Sequence, residues 1–230
     1  MTMHLLRVLL LAASVGILAG CATTATVSSI NKLEARATKP RILLLSPDVK
    51  IFALTASGMP EAQADWTESA RRNFAKAIVD EAAARNADVV VRDGQLSDME
   101  SRYSKLHGAV GQTVLVNHFA MKLPAKGGAF DWSLGPGVQE IGEASDADYA
   151  LFTYYRDYRA TGGRVAMAVI FAAAGVVIPT GGQGGFASLV DLKTGDIVWF
   201  NKVDVGTGDL RNPDGAATVV ATLVKGLPQN

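Results

Sequence analysis

The sequence predicts an α+β fold: one mixed β-sheet flanked by helices, finishing in a β-hairpin and a terminal helix. Three observations carry that expectation. Short apolar runs stopped by proline or glycine alternate with stretches of helical periodicity through the first half of the chain. Two apolar runs, Gly185–Leu192 and Asp196–Val205, flank Lys193-Thr194-Gly195, and Gly195 suits the left-handed position of a short hairpin loop. Finally, 230 residues at 49% apolar and 19% charged are enough to bury a core and too apolar for a disordered chain.

The elements follow in order. Met1–Arg7 carries the amino group and Arg7, and Val8–Ala19 is a twelve-residue run without charge, the layout of a secretory signal over residues 1–20. As a helix that run spans about 18 Å, short of the ~30 Å hydrocarbon core of a bilayer. The run ends in Leu18-Ala19-Gly20-Cys21, and Cys21 is the chain's one cysteine. Residues 21–40 (ATTATVSSINKLEARATKP after the Cys) are rich in Thr, Ser and Ala without apolar periodicity. They read as a tether reaching up to ~60 Å if extended, with a marginal helix over Ser28–Thr38 as the alternative.

The body, residues 41–230, begins with two strands, Arg41–Ser46 and Val49–Leu54, separated by Pro47. Gly58-Met59-Pro60 is a turn. Asp65 and Glu68 form a box-like helix start, and Trp66, Ala70, Phe74, Ala77 and Ile78 share one face of a helix running to about Ala87. Asp88–Arg92 is a strand closed by Asp93-Gly94. A second helix is expected near Ser97–His118, weakened by Gly108 and Gly111, each costing up to ~1 kcal/mol relative to Ala. Lys122–Gly137 reads as a loop, Val138–Ala144 as a short helix, and Asp148–Arg159 as a long strand with aromatics on both faces. Asn212-Pro213-Asp214 starts the last helix, with Val220, Leu223, Val224 and Leu227 as its apolar stripe and Gly226 and Pro228 as its end.

Two resemblances add to this reading. Leu18-Ala19-Gly20-Cys21 resembles the lipobox of bacterial lipoproteins, aliphatic-small-small-Cys. The resemblance implies cleavage before Cys21, a diacylglycerol group on its thiol and an acylated new amino terminus; two or more chains hold a bilayer stably where one does not. Ala22 after the cysteine implies the outer membrane, facing the periplasm, with an inner-membrane anchor as the alternative. In the body, Arg41–Pro47 (RILLLSP), 148–158 (DYALFTYYRDY) and 185–200 (GFASLVDLKTGDIVWF) resemble the α/β domain shared by the TolB amino-terminal domain, the lipoprotein activators of penicillin-binding proteins and the curli secretion channel subunit. The stretch 208–228 is similar to the tail of proteobacterial lipoproteins with this layout. The likeness carries no catalytic motif across.

Charge excludes some partners. With 22 basic and 22 acidic residues there is no footprint for nucleic acid, and losing Arg7 with the signal leaves 21 basic residues against 22. One cysteine excludes an intramolecular disulfide framework and a cysteine-built zinc site. His107 and His118 lie about 16 Å apart along the expected helix, too far to share a metal with ligand bonds of ~2 Å. Asp146 and Asp148 read as solvated loop acids, Asp204–Asp209 as a strand-end turn, and Gly181–Gly185 as a flexible hairpin connection lacking the Lys-Ser/Thr of a phosphate loop. Ser57 is not in a nucleophile elbow, and Arg71, Arg72 and Lys76 make a solvated basic stripe.

Val165–Ile178 (VAMAVIFAAAGVVI) is fourteen uncharged residues between glycine-rich flanks. The leading expectation is a buried helix or strand pair completing the core. A membrane- or partner-facing element is the second, and a pore-forming hairpin the third, disfavoured because apolar and polar residues do not alternate. The functional expectation is therefore a membrane-anchored envelope lipoprotein that binds another protein, without catalytic, cofactor or metal residues and with Cys21 as its lipidation site. The alternatives are an oligomeric secretion or assembly channel component using 165–178, and an envelope hydrolase. The sequence fixes no oligomeric state.

Overall fold

The computed structural model describes residues 24–30, 33, 39–92, 95–204 and 208–228. The signal over 1–20, Cys21, most of the 28–38 stretch and the Asp93-Gly94 turn lie outside the described residues.

Eight strands form one mixed, open sheet, as the sequence predicts. They are β1 (Thr24–Ser28), β2 (Arg41–Leu44), β3 (Asp48–Leu54), β4 (Pro60–Ala62), β5 (Asp88–Val91), β6 (Tyr149–Ala160), β7 (Gly181–Asp191) and β8 (Ile197–Val203). The helices are α1 (Ala64–Ala84), α2 (Asp98–Val114), α3 (Gln139–Ser145), α4 (Gly162–Ala173) and α5 (Pro213–Leu223). The strand order is β1-β8-β7-β6-β2-β5, with β3 also on β6 and β4 on β3. Long β6 serves two parallel partners in series: its start, Tyr149–Leu151, pairs with β2, and Tyr154–Ala160 pairs with β3. Pro47 explains the break, since it cannot donate to the ladder. Arg156 spans it, donating from Nη1 to the Asp48 carbonyl at 2.8 Å and from Nη2 to its carboxylate at 3.0 Å.

Both sheet faces are covered along Tyr149–Tyr155, so that half of β6 reads as an almost continuous apolar run. On one face α1 and α5 pack Phe74, Ala77, Val220 and Leu223 against Tyr149, Leu151, Tyr155 and Trp199. On the other, α2, α3 and the loop between them cover Phe152, Phe186 and Phe200. The two glycines of α2 are packing residues: a Cβ on Gly111 would sit 2.0 Å from Phe186 Cε2, and one on Gly108 would sit 3.2 Å from Tyr154 Cδ2. The propensity they lose is exchanged for close approach of helix to sheet.

The sequence reading needs several corrections. The tether is not unstructured throughout, for Thr24–Ser28 forms β1, antiparallel to β8. Its β-branched residues find a long-range partner: Thr26 Oγ1 donates to Asn201 Oδ1 at 2.9 Å, and buried Asn201 donates onward to the Leu223 carbonyl at 2.7 Å at the end of α5. The Asp65/Glu68 box does not start α1. Gln63 does, fixed by its backbone bond to the Ile51 carbonyl at 3.0 Å, and it makes no side-chain cap. Glu68 instead pairs with Arg72. The real capping box is Ser97/Glu100 on α2, with Ser97 N–H donating to Glu100 Oε2 at 2.8 Å and Glu100 N–H to Ser97 Oγ at 3.2 Å. Past Val114, α2 widens into a π-helical turn, Leu115–Ala120. Pro60 opens a short strand, β4, rather than closing a turn; the turn is centred on Gly58, whose φ is +88°. Gly181–Gly185 is the first half of β7, paired with Tyr155–Arg159, and not a loose connection.

Thr24, Val203, Gly185 and Tyr155 lie in one row across β1, β8, β7 and β6. Beyond that row, among the described strands, β6 and β7, with β3 and β4 alongside, run on to Ala160 and Gly181, and α4 joins them at the tip.

Candidate functional site: an uncovered apolar helix

Helix α4 overturns the expectation of a buried segment. None of its residues is buried. Its ends are nonetheless well made. Thr161 caps the start, accepting from Arg164 N–H at 3.3 Å, and is itself pinned to β3 by bonds from its amide and hydroxyl to the Leu54 carbonyl at 3.0 and 2.8 Å. At the other end Val176 N–H reaches the Phe171 carbonyl and Gly175 N–H the Ala172 carbonyl, both at 2.9 Å, with Gly175 at φ +80°; this is a Schellman closure. Arg164 Nε donates to the Pro179 carbonyl at 2.9 Å, clasping the return chain.

What the helix presents is apolar nearly all round. Val169 is 66% exposed, Ile170 63% and, in the following turn, Val177 92%, with Val165, Phe171 and Val176 also exposed. Only Arg164, Met167 and Ala168, at i, i+3 and i+4, are half-buried along the helix. A helix apolar on every side normally sits inside a protein or a membrane. The reason for its exposure is topological: it sits beyond the described ends of β1 and β8, and among the described residues no second layer reaches it. The Gly58 turn, which carries exposed Met59, adjoins α4: a Cβ on Gly58 would lie 2.9 Å from Arg164 Nη1. Among the described residues no helix is long and apolar enough to cross a membrane.

The remaining sites of the sequence reading are structural. His107 is fully buried, with Nε2 2.8 Å from the hydroxyl of Ser188, which is equally buried. Its ring lies 5.3 Å from that of Phe152 and 5.2 Å from that of Phe186. Burial pushes it down to about 3, so it stays neutral at any physiological pH. A general base needs reach to a substrate and a pKa near the working pH; this pair has neither, and Nδ1 has no partner to orient it. His118 is elsewhere, edge-on to Phe119 and Phe130, and is lowered by burial and then by Lys122 and Lys126. The two histidines are not brought together.

Asp146 is solvated as expected, whereas Asp148 is half-buried. Asp146 ends α3 at φ +50° and pairs with Arg41 on the surface, and Asp148 Oδ2 accepts from Arg41 N–H at 3.0 Å, so Asp148 positions the start of β2. Asp204 pairs with Lys202, and Asp209 with Arg211 at 2.7 Å; residues 205–207 between them lie outside the described residues. Asp157, buried beside Arg159 at 2.8 Å, is raised by burial against the pull of that arginine. Ser57 hydrogen-bonds Thr55 at 2.9 Å on the surface. The basic stripe is exposed as expected: Lys76 pairs with Asp80 at 2.6 Å and Arg72 with Glu68, and Arg71 donates to the Val49 carbonyl at 3.1 Å. Among the described residues no cluster of three or more His, Cys, Asp or Glu is placed to hold a metal ion. The Ser188 partner of His107 left no local signal in the sequence; 81 positions separate the two.

An α+β sheet domain with an apolar projection is the class that fold and site define. Comparison with known proteins adds little. No family model matches the chain, and no curated protein does. Among solved structures the chain is similar to a PelC dodecamer from Paraburkholderia phytofirmans at 14% identity and a TM-score of 0.41, covering 91% of this chain and 99% of that one. A single-residue variant of that dodecamer matches at 14% identity and a TM-score of 0.42, covering 88% and 95%.

Proposed function

We propose that the chain is a lipid-anchored envelope protein, held through Cys21 at the outer membrane and facing the periplasm, whose domain is a non-catalytic accessory module acting by surface contact. The observation that supports the second half most directly is α4, an apolar helix with capped ends and no buried residue. Burying one such side chain fully is worth about 1.5–3 kcal/mol, so a fold that leaves Val169, Ile170, Phe171 and Val177 outside has reserved them for something other than its own core. The sealed His107–Ser188 pair speaks against the hydrolase reading. The anchor half rests on Leu18-Ala19-Gly20-Cys21.

The test of the anchor is Cys21→Ala. The variant is expected in the soluble periplasmic fraction, and the native protein in the membrane fraction with its mass raised by acyl chains. Unchanged fractionation with an unshifted mass would end this reading. Cross-linking of the native protein in its envelope is expected to capture a protein partner equally well with His107→Gln, since no chemistry is assigned to that ring. The second reading, an oligomeric assembly component, draws on the same uncovered helix; a ring seen in detergent by electron microscopy supports it, and a clean monomer sinks it.

A further inference from the structure

We propose that α4 and the Val176–Ile178 turn lie in the interfacial layer of the same bilayer that holds the acyl chains on Cys21, so that the domain rests on its membrane at two points instead of swinging on a long tether. This rests on the lipoprotein reading and specifies what covers the apolar helix.

Two independent features of the chain lead to the same end of the sheet. The first is the position of β1. Only Ala22 and Thr23 separate Cys21 from Thr24, where β1 begins, so chain length limits the Cys21 Cα to about 11 Å from that strand's start. The ~60 Å tether of the sequence reading is thereby cut short. The second is register. Thr24 shares a row with Val203, Gly185 and Tyr155, and β1 enters the sheet from the side on which β6 leaves it. From that row β6 runs five residues further to Ala160, about 17 Å, before α4 begins. Sideways, β1 and β6 are three strand spacings apart, about 14 Å. A lipid on Cys21 therefore places the bilayer at the α4 end of the molecule, while the β7–β8 turn at Thr194-Gly195 and helix α3 lie at the opposite end.

The chemistry of the tip fits a lipid surface. Between Gly162 and Pro179 the only charge is Arg164, which is turned back onto the Pro179 carbonyl. Twelve helical residues reach about 18 Å, too short to cross a ~30 Å core. The turn that carries exposed Met59 adjoins the helix at Gly58. The mature chain carries no excess of positive charge, so the attraction is apolar burial and not an anionic headgroup.

The experiment uses the lipidated full chain purified from its envelope, with Cys21 acylation checked by mass, and reconstituted in vesicles of phosphatidylethanolamine and phosphatidylglycerol. Acylation consumes the native thiol, so Ile170→Cys, Val177→Cys and, as the distal control, Glu140→Cys each offer one site for an environment-sensitive fluorophore. The expected result is a blue shift at 170 and 177, quenched by spin-labelled lipid, and neither effect at 140. An unmodified Cys21 overturns the lipoprotein reading itself. An acylated Cys21 with water-like emission at 170 and 177 overturns the membrane placement alone. A blue shift that spin-labelled lipid leaves untouched and a spin-labelled second copy quenches also overturns it, in favour of contact between copies.

Discussion

Helices α4 and α5 are nearly the same length and both are apolar, yet one is uncovered and the other forms part of the core. In α5, Ala216, Val219, Val220 and Leu223 face the sheet and α1, while Ala217, Thr218 and Ala221 face out. Its stripe has a back. Helix α4 has Val165, Val169, Ile170 and Phe171 exposed and no polar side to turn to water. Hydrophobicity alone does not tell the two apart. What separates them is whether the topology sets a second layer beneath the helix: α5 follows β8 back over a complete sheet, and α4 caps two strands that have outrun their neighbours.

The largest expected effect tests that contrast directly. Leu223→Ala in α5 should cost about 2–5 kcal/mol of stability, whereas Val169→Ser or Ile170→Ser in α4 should change it by no more than about 0.5 kcal/mol; urea unfolding reads both. Equal costs would break the comparison. Next comes acid. His107 is held down to about 3 in the fold against an ordinary 6.5, so the unfolded chain binds the proton first and stability falls as pH drops between those values. The loss should reach about 3 kcal/mol between pH 7 and pH 4. His107→Gln should flatten that slope, and the serine variants of α4 should leave it unchanged.

Glycine replacements sharpen the comparison further. Gly111→Ala drives a Cβ into Phe186 and should cost about 1–3 kcal/mol. Gly162→Ala, at the open start of α4 with nothing within 4 Å, should be neutral or slightly stabilising in a thermal melt. A smaller effect than that of Gly111→Ala belongs to the approach to α5. The Arg211 guanidinium holds Asp209 at about 2, so this pair adds stability above the usual carboxylate range, lost as pH falls toward 2. Both groups are partly exposed, so Arg211→Ala should cost under about 1 kcal/mol at pH 7 in the same urea titration.

Much of the scaffold was legible in the sequence because its signals are local. The β7–β8 turn at Thr194-Gly195, the Asn212-Pro213 start of α5 and the long aromatic strand β6 each follow from neighbouring residues. Ser97 and Glu100 are equally local, yet the same pattern at Asp65 and Glu68 misleads, because a backbone bond from Gln63 to β3 decides the start there. Strand β1 was hidden in a Thr- and Ala-rich stretch because what makes it a strand is β8. The candidate site was half legible. Val165–Ile178 stood out as uncharged, but its exposure depends on how far β6 and β7 overrun β8, a matter of register that no window of sequence contains.

The pairing of β1 with β8 also sets an order of events. Thr26 meets Asn201 across 175 positions, so the first strand to be synthesised is the last that can be used. Until then the outer rim of β8 offers bare amides and carbonyls, the kind of ledge on which other chains assemble. Five residues at the amino end supply the lid for that ledge, so a truncation there exposes an adhesive margin as well as discarding a flank.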